Sequence, residues 1–226
     1  MSFEKLSALE EELKKQDVAA IIVEIIRGVG GLDEASTEFY KAASLLCKQY
    51  GTLFIADEVQ SGYGRTGDFF AFQKHGIRPD IISIAKGMGN GFPVGGILID
   101  EIIEARHGLL GTTFGGNHLA CAAGIAVLDI IQKEQLLQNA NDLFEYVKDR
   151  SVEIPQIINL KGRGLMIGLE FEFETAQLRK DLLFNHKIFT GASANKKQLR
   201  ILPPLNIKKE HFDMFFEALK IEVSSS

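Results

Sequence analysis

The chain is predicted to fold as an α/β protein with a mainly parallel sheet, followed by a smaller α+β lobe. Short runs rich in isoleucine and valine alternate with longer stretches of helical character, the order in which βα units build a parallel sheet. Glycine and proline clusters break these runs into loops. After about residue 150 the alternation gives way to a different pattern, and 226 residues hold one sizeable core with a smaller appendage.

The N-terminal MSFEKLSALEEELKK places Phe3, Leu6, Leu9 and Leu13 on one face of an amphipathic helix. AAIIVEIIRGVGG then reads as a buried strand over Ala19–Ile26, because its apolar run is β-branched, and Gly28, Gly30 and Gly31 break it into a loop. Those glycines do not form a P-loop, since no Lys-Ser or Lys-Thr pair follows. A helix over Thr37–Tyr50, a strand over Leu53–Ala56, a short helix over Phe69–His75 and a strand over Ile81–Ala85 continue the alternation. GFPVGGILID turns at Pro93 and its glycines into an edge strand. Helices over Leu119–Lys133 and Leu136–Arg150 complete a first domain, residues 1–150. IINLKGRGLMIGLEFEF, QLRILPPLNI and a terminal amphipathic helix over Lys209–Val223 make the second, residues 151–226.

Composition sets outer limits. The net charge of −5, with no basic cluster interleaved with aromatics, argues against nucleic-acid binding. The longest apolar runs fall far short of the roughly 18 residues of a membrane-spanning helix. The N-terminus lacks the apolar core of a signal peptide, which points to the cytoplasm. Cys47 and Cys121 stand alone in helix-like apolar patterns without metal-ligand spacing, and both are expected to be packed, reduced thiols. No metal site is expected.

Chemistry concentrates at the ends of two strand-like runs, Asp57 after LFIA and Lys86 after IISIA. In open α/β sheets the ligand crevice lies at the carboxyl ends of the strands. An amine and a carboxylate at that edge are what pyridoxal 5′-phosphate requires, one to hold its aldehyde as a Schiff base and one to keep its pyridine nitrogen protonated. Partial burial favours the neutral, nucleophilic lysine. Taken singly, Asp57 also fits a turn cap, and Lys86 a stem lying along the core with its head in water. A further small-residue turn, Thr112 to Asn117, precedes a long apolar pattern, so free backbone N–H groups there suit either a phosphate or an ordinary helix cap by Thr112, Thr113 or Asn117.

With their flanks, ADEVQSGYGRTGDFFAF and PDIISIAKGMGNGFPVGG, these residues resemble the class-III aminotransferases of fold type I, the group that includes the acetylornithine, ornithine and 4-aminobutyrate enzymes. The resemblance runs over most of the chain. It implies that Asp57 pairs with the pyridine nitrogen, Val59 packs on a ring face, Gln60 bonds near the ring hydroxyl, Glu58 lies beside the cofactor and Lys86 forms the Schiff base. It places Thr113 on the cofactor phosphate of a neighbouring subunit and Thr112 near substrate, which implies a homodimer with shared sites. It matches Glu24 and Arg200, in QLRILPPLNI, to substrate-binding positions, Arg200 taking a carboxylate through its fork. Where the family commonly has a glutamate that parks this arginine, the chain has Val29. Arg200 is therefore read as permanently available to glutamate and 2-oxoglutarate, with a different arrangement for ω-amines left open.

The implied reaction is amino transfer from an acylated ornithine, or ornithine itself, to 2-oxoglutarate. GLLGTTFGGNHLACAAG and GRGLMIGLEF favour that branch over 4-aminobutyrate or another ω-amine. A non-catalytic remnant is the reading from a different class. Members of the family are nearly twice this long, so the resemblance implies a partial large domain and a C-terminal small domain, with apolar faces left uncovered.

Overall fold

Residues 20–99 build a four-stranded sheet whose strands follow one another in space as they do in sequence. β1 (Ala20–Glu24), β2 (Leu53–Asp57) and β3 (Ile81–Ile84) run parallel, and β4 (Gly96–Ile99) closes the row antiparallel to β3. The mixed, mostly parallel sheet matches the α/β expectation, and β4 is the edge strand predicted from GFPVGGILID. The computed structural model describes residues 5–104, 106–108 and 111–224.

One face of this sheet is covered by two helices, α1 (Leu6–Leu13) and α2 (Thr37–Tyr50). Leu9 and Leu13 from α1, Ala43 and Cys47 from α2, and Phe54 from β2 form a core against which Ile21 and Val23 pack. Phe3, expected on the same helical face, lies outside the described residues. α2 begins where Ser36 Oγ accepts from Phe39 N at 3.1 Å, and it ends at Gly51, whose φ of 70° only glycine adopts without strain. Because alternate strand residues face opposite sides, Ile22, Glu24, Ile55 and Asp57 look away from α1 and α2. That second face is more open: Ile22 is 65% exposed, and all four residues of β4 are exposed.

The chain divides into two compact units. The first runs to Ile25 and resumes over Ala35–Tyr63 and Asp68–Lys133, and the second takes Ile26–Glu34, Gly64–Gly67 and everything from Glu134. The first unit ends with α3 (His118–Lys133), a helix apolar along most of its length whose buried residues are Ala120 and Ile131. Cys121 is exposed on it, a correction to the expectation that both thiols are packed. The segment expected as a short helix at Phe69–His75 is a single 3-10 turn over Ala71–His75.

In the second unit α4 (Leu136–Ser151), α5 (Ala176–His186) and α6 (Lys209–Ser224) accompany an antiparallel sheet of β5 (Asn159–Arg163), β6 (Met166–Glu170) and β7 (Gln198–Ile201) in that order. Its core joins Leu143 and Val147 to Ile167, Leu169, Leu182, Leu199, Phe212 and Phe216. α4 buries Leu136, Ala140, Leu143 and Val147, and the last continuous stretch of this compact unit begins at Glu134. α5 has no counterpart among the predicted elements, because only Leu178 and Leu182 on it are buried and its apolar stripe is short.

Candidate active site

Register brings the site together. Along the sheet Glu24 lies beside Asp57 and Asp57 beside Ser83, each at or next to the carboxyl end of its strand. Asp57 Oδ1 accepts two hydrogen bonds, from Val59 N at 3.0 Å and from Ser83 Oγ at 3.1 Å. Among the described residues Asp57 Oδ2 takes no hydrogen bond. Lys86 follows Ser83 by three residues, so its Cα lies within about 10 Å of Ser83 by chain length alone. Asp57 and Lys86 thus leave neighbouring parallel strands at the same edge.

Lys86 is exposed and opens a 3-10 turn, Lys86–Met88, directly after β3. Its φ of 42° is in the left-handed region that an L side chain enters at a cost of about 1–3 kcal/mol. Such strain at a lysine persists only where the surroundings over-determine it, and they do so here. A Cβ on Gly87 would stand 3.1 Å from Tyr63 Cβ, so the loop after β2 is packed against the turn that carries Lys86. Tyr63 itself has a φ of 57°, and burial pushes its hydroxyl up from the usual range.

Glu58 faces the opposite way from Asp57. It is 1% exposed, and its carboxylate accepts from Ser61 Oγ at 2.6 Å and Phe72 N at 3.0 Å. These bonds make it an anchor for the loop that carries Val59 and Gln60, both half-buried. Nothing in the runs IISI or YGR marks Ser83 or Tyr63 as parts of the site; strand register and packing reveal them.

At the start of α3, Thr112 and Thr113 are exposed. Thr112 Oγ1 accepts from Gly115 N at 3.2 Å, and the helix cap belongs to Asn117, whose Oδ1 accepts from Ala120 N at 3.0 Å. Of the three candidates for that cap, Asn117 is the one that fills it. Leu109 and Leu110, which open the motif, lie outside the described residues.

In the second unit Arg200 sits on β7, its backbone bridged to Gly191 and its guanidinium donating to the Gly28 carbonyl. Its Nε is buried without a partner, an arrangement of order 1–3 kcal/mol less stable than a bonded one. Burial, and then the like charge of Arg179, lower its pKa from the ordinary guanidinium range. Val29 is 55% exposed, and its carbonyl accepts from Ala194 N at 2.9 Å. A neutral backbone carbonyl therefore holds Arg200 where a carboxylate was expected to be missing.

An aldehyde-bearing, ring-nitrogen cofactor fits the first unit: an exposed amine on a strained turn, an unpartnered carboxylate oxygen on the adjoining strand, and glycines that keep the two loops close. A separate hollow of about 610 Å³ is lined by Lys48, Arg78, Asp80 and Asp100 among others, and this pair is not part of its lining. Among the described residues no three His, Cys, Asp or Glu side chains gather to hold a metal, and no helix is long and apolar enough to cross a membrane.

The profile of the aminotransferase class-III family matches residues 1–222. An acetylornithine aminotransferase from Aquifex aeolicus is 41% identical over 97% of this chain and 58% of its own length. One from Bacillus subtilis is 38% identical over 95% of this chain and 56% of its own. Among solved structures, an ornithine aminotransferase from Plasmodium yoelii superposes with a TM-score of 0.89 at 32% identity, covering 99% of this chain and 62% of that one. An N-acetylornithine aminotransferase from Stenotrophomonas maltophilia gives a TM-score of 0.87 at 29% identity, covering 100% and 61%. The chain thus spans rather more than half the length of the relatives it matches. It belongs to the class-III aminotransferases, a family that works with pyridoxal 5′-phosphate.

Proposed function

We propose that the chain serves the transfer of an amino group from an N-acylornithine, or ornithine itself, to 2-oxoglutarate. One observation carries the reading: Asp57 and Lys86 leave adjacent parallel strands at the same edge, joined through Ser83. The relatives named acetylornithine and ornithine aminotransferase support the choice of donor.

When bound, pyridoxal 5′-phosphate supplies an electron-withdrawing ring that drains negative charge from the donor carbon. Lys86 Nζ would hold the cofactor and would move the proton at the donor carbon. Asp57 Oδ2 would keep the cofactor's ring nitrogen protonated. Val59 would pack against the cofactor and Gln60 would bond to it, both on the loop that Glu58 anchors. Thr113 would bind the cofactor phosphate of a second copy and Thr112 would serve the substrate, which makes the proposed working form a homodimer with shared sites. Glu24 and Arg200 are the proposed substrate-binding residues, Arg200 donating through its guanidinium fork to a carboxylate of the substrate. The first compact unit is the cofactor-binding large domain and the second the small domain of a cytoplasmic enzyme.

Two experiments test this. Borohydride reduction of the cofactor-loaded chain is expected to fix the cofactor on the peptide containing Lys86, and Lys86→Ala to remove the label; a parent chain that takes none overturns the reading. Arg200→Lys is expected to raise KM for glutamate at least tenfold with a smaller change in kcat, and a lesser rise would remove Arg200 from the carboxylate site.

A further inference from the structure

We propose that Ser83 is a positioning residue, which by holding Asp57 Oδ1 leaves Oδ2 as the one oxygen free to meet a cofactor's ring nitrogen; this rests on the function proposed above. In the run Ile81–Ile84 the neighbours of Ser83 are isoleucines, and its hydroxyl is the strand's one polar side chain. A hydroxyl there gains nothing from packing. It is placed by register directly beside Asp57, and Oγ donates to Oδ1 at 3.1 Å. The backbone of the same residue acts in the same place: Ser83 O accepts from Glu58 N at 3.0 Å, which fixes the peptide that follows Asp57.

Val59 N supplies the second donor to Oδ1 at 3.0 Å. Two donors on one oxygen lock the carboxylate plane, whereas a lone amide leaves the side chain free to turn about its terminal torsion. Glu24 occupies the same register on the other side of Asp57. Ser83 also lies three residues before Lys86 on one continuous segment, so the contact that orients the acid is built into the strand that delivers the amine.

The test compares Ser83→Ala and Ser83→Thr with the parent. In chains loaded with cofactor labelled with nitrogen-15 in the ring, Ser83→Ala is expected to move the ring-nitrogen resonance toward the unprotonated position and to weaken cofactor binding about tenfold or more, the loss of one hydrogen bond to a charged group. Ser83→Thr, which keeps the hydroxyl, is expected to match the parent in both. In cofactor-free chains the Asp57 carboxyl carbon resonance is expected to move in Ser83→Ala and to stay in Ser83→Thr. An unmoved ring nitrogen in Ser83→Ala, with cofactor bound, overturns the inference and leaves the proposed function standing. A parent that binds no cofactor overturns the proposed function, and the carboxyl resonance then decides whether Ser83 sets Asp57. If Ser83→Ala does not fold, Ser83→Cys, a weaker donor of similar volume, replaces it with the same expected directions.

Discussion

Side chains of one type diverge according to what surrounds them. Burial pushes the Cys47 thiol up to about 11, whereas Cys121 is exposed on α3. The nucleophile is the thiolate, so at pH 8 a thiol reagent is expected to label Cys121 alone in the native chain and both cysteines in denaturant. Labelling of Cys47 in the native chain would show its core to be open. The same shift sets a direction for stability. The folded state favours the protonated thiol, so this contribution is complete below the ordinary thiol value of about 9 and declines as pH rises toward 11. Cys47→Ser is expected to flatten that decline in denaturant melts between pH 8 and 11. Adjacent acids differ in the same way: Asp57 keeps one oxygen available, while Glu58, one residue on and facing the other side, spends its carboxylate on Ser61 and Phe72.

Elements form where local pattern and tertiary burial agree. α2 was legible end to end, since Ser36 caps it, Gly51 stops it, and Tyr40, Ala43 and Cys47 fall on one face. The strands ending in Asp57 and before Lys86 were legible for the same reason, an unbroken apolar run with a polar residue at its end. α5 was not, because its inward stripe is two leucines long. The β5–β6 hairpin turns on glycine: Gly162 has a φ of 91°, and a Cβ there would stand 1.8 Å from Met166 O, a backbone atom that cannot yield. Gly162→Ala is therefore expected to destabilise the chain by about 2 kcal/mol or more, read as a lower denaturant midpoint, whereas Gly51→Ala, with open space around it, carries only the cost of its positive φ. Equal midpoints for the two variants would contradict this account of the hairpin.

Across the whole molecule the uncovered apolar surface matters most. Ile97, Leu98 and Ile99 on β4 and Leu119, Ile125, Leu128 and Ile130 on α3 are all substantially exposed. Apolar area of this kind marks contact surfaces, and an edge strand bearing it pairs readily with another chain. The homodimer proposed above would cover part of it. Sedimentation is expected to show a dimer or larger species, and Leu119→Lys with Ile125→Lys to shift it toward monomer; a monomeric parent would remove the shared-site reading.

Residue order alone settled the α/β class, the family and the roles of Asp57 and Lys86 as candidates, because these depend on short-range period and on chemistry carried by motif. Strand register, the strained turn at Lys86, the inward turn of Glu58, the Gly28 carbonyl on Arg200 and the bond from Ser83 to Asp57 came from tertiary structure. The physical reason is separation along the chain: Ser83 and Asp57 stand 26 residues apart, and only parallel pairing of two strands puts a hydroxyl beside a carboxylate.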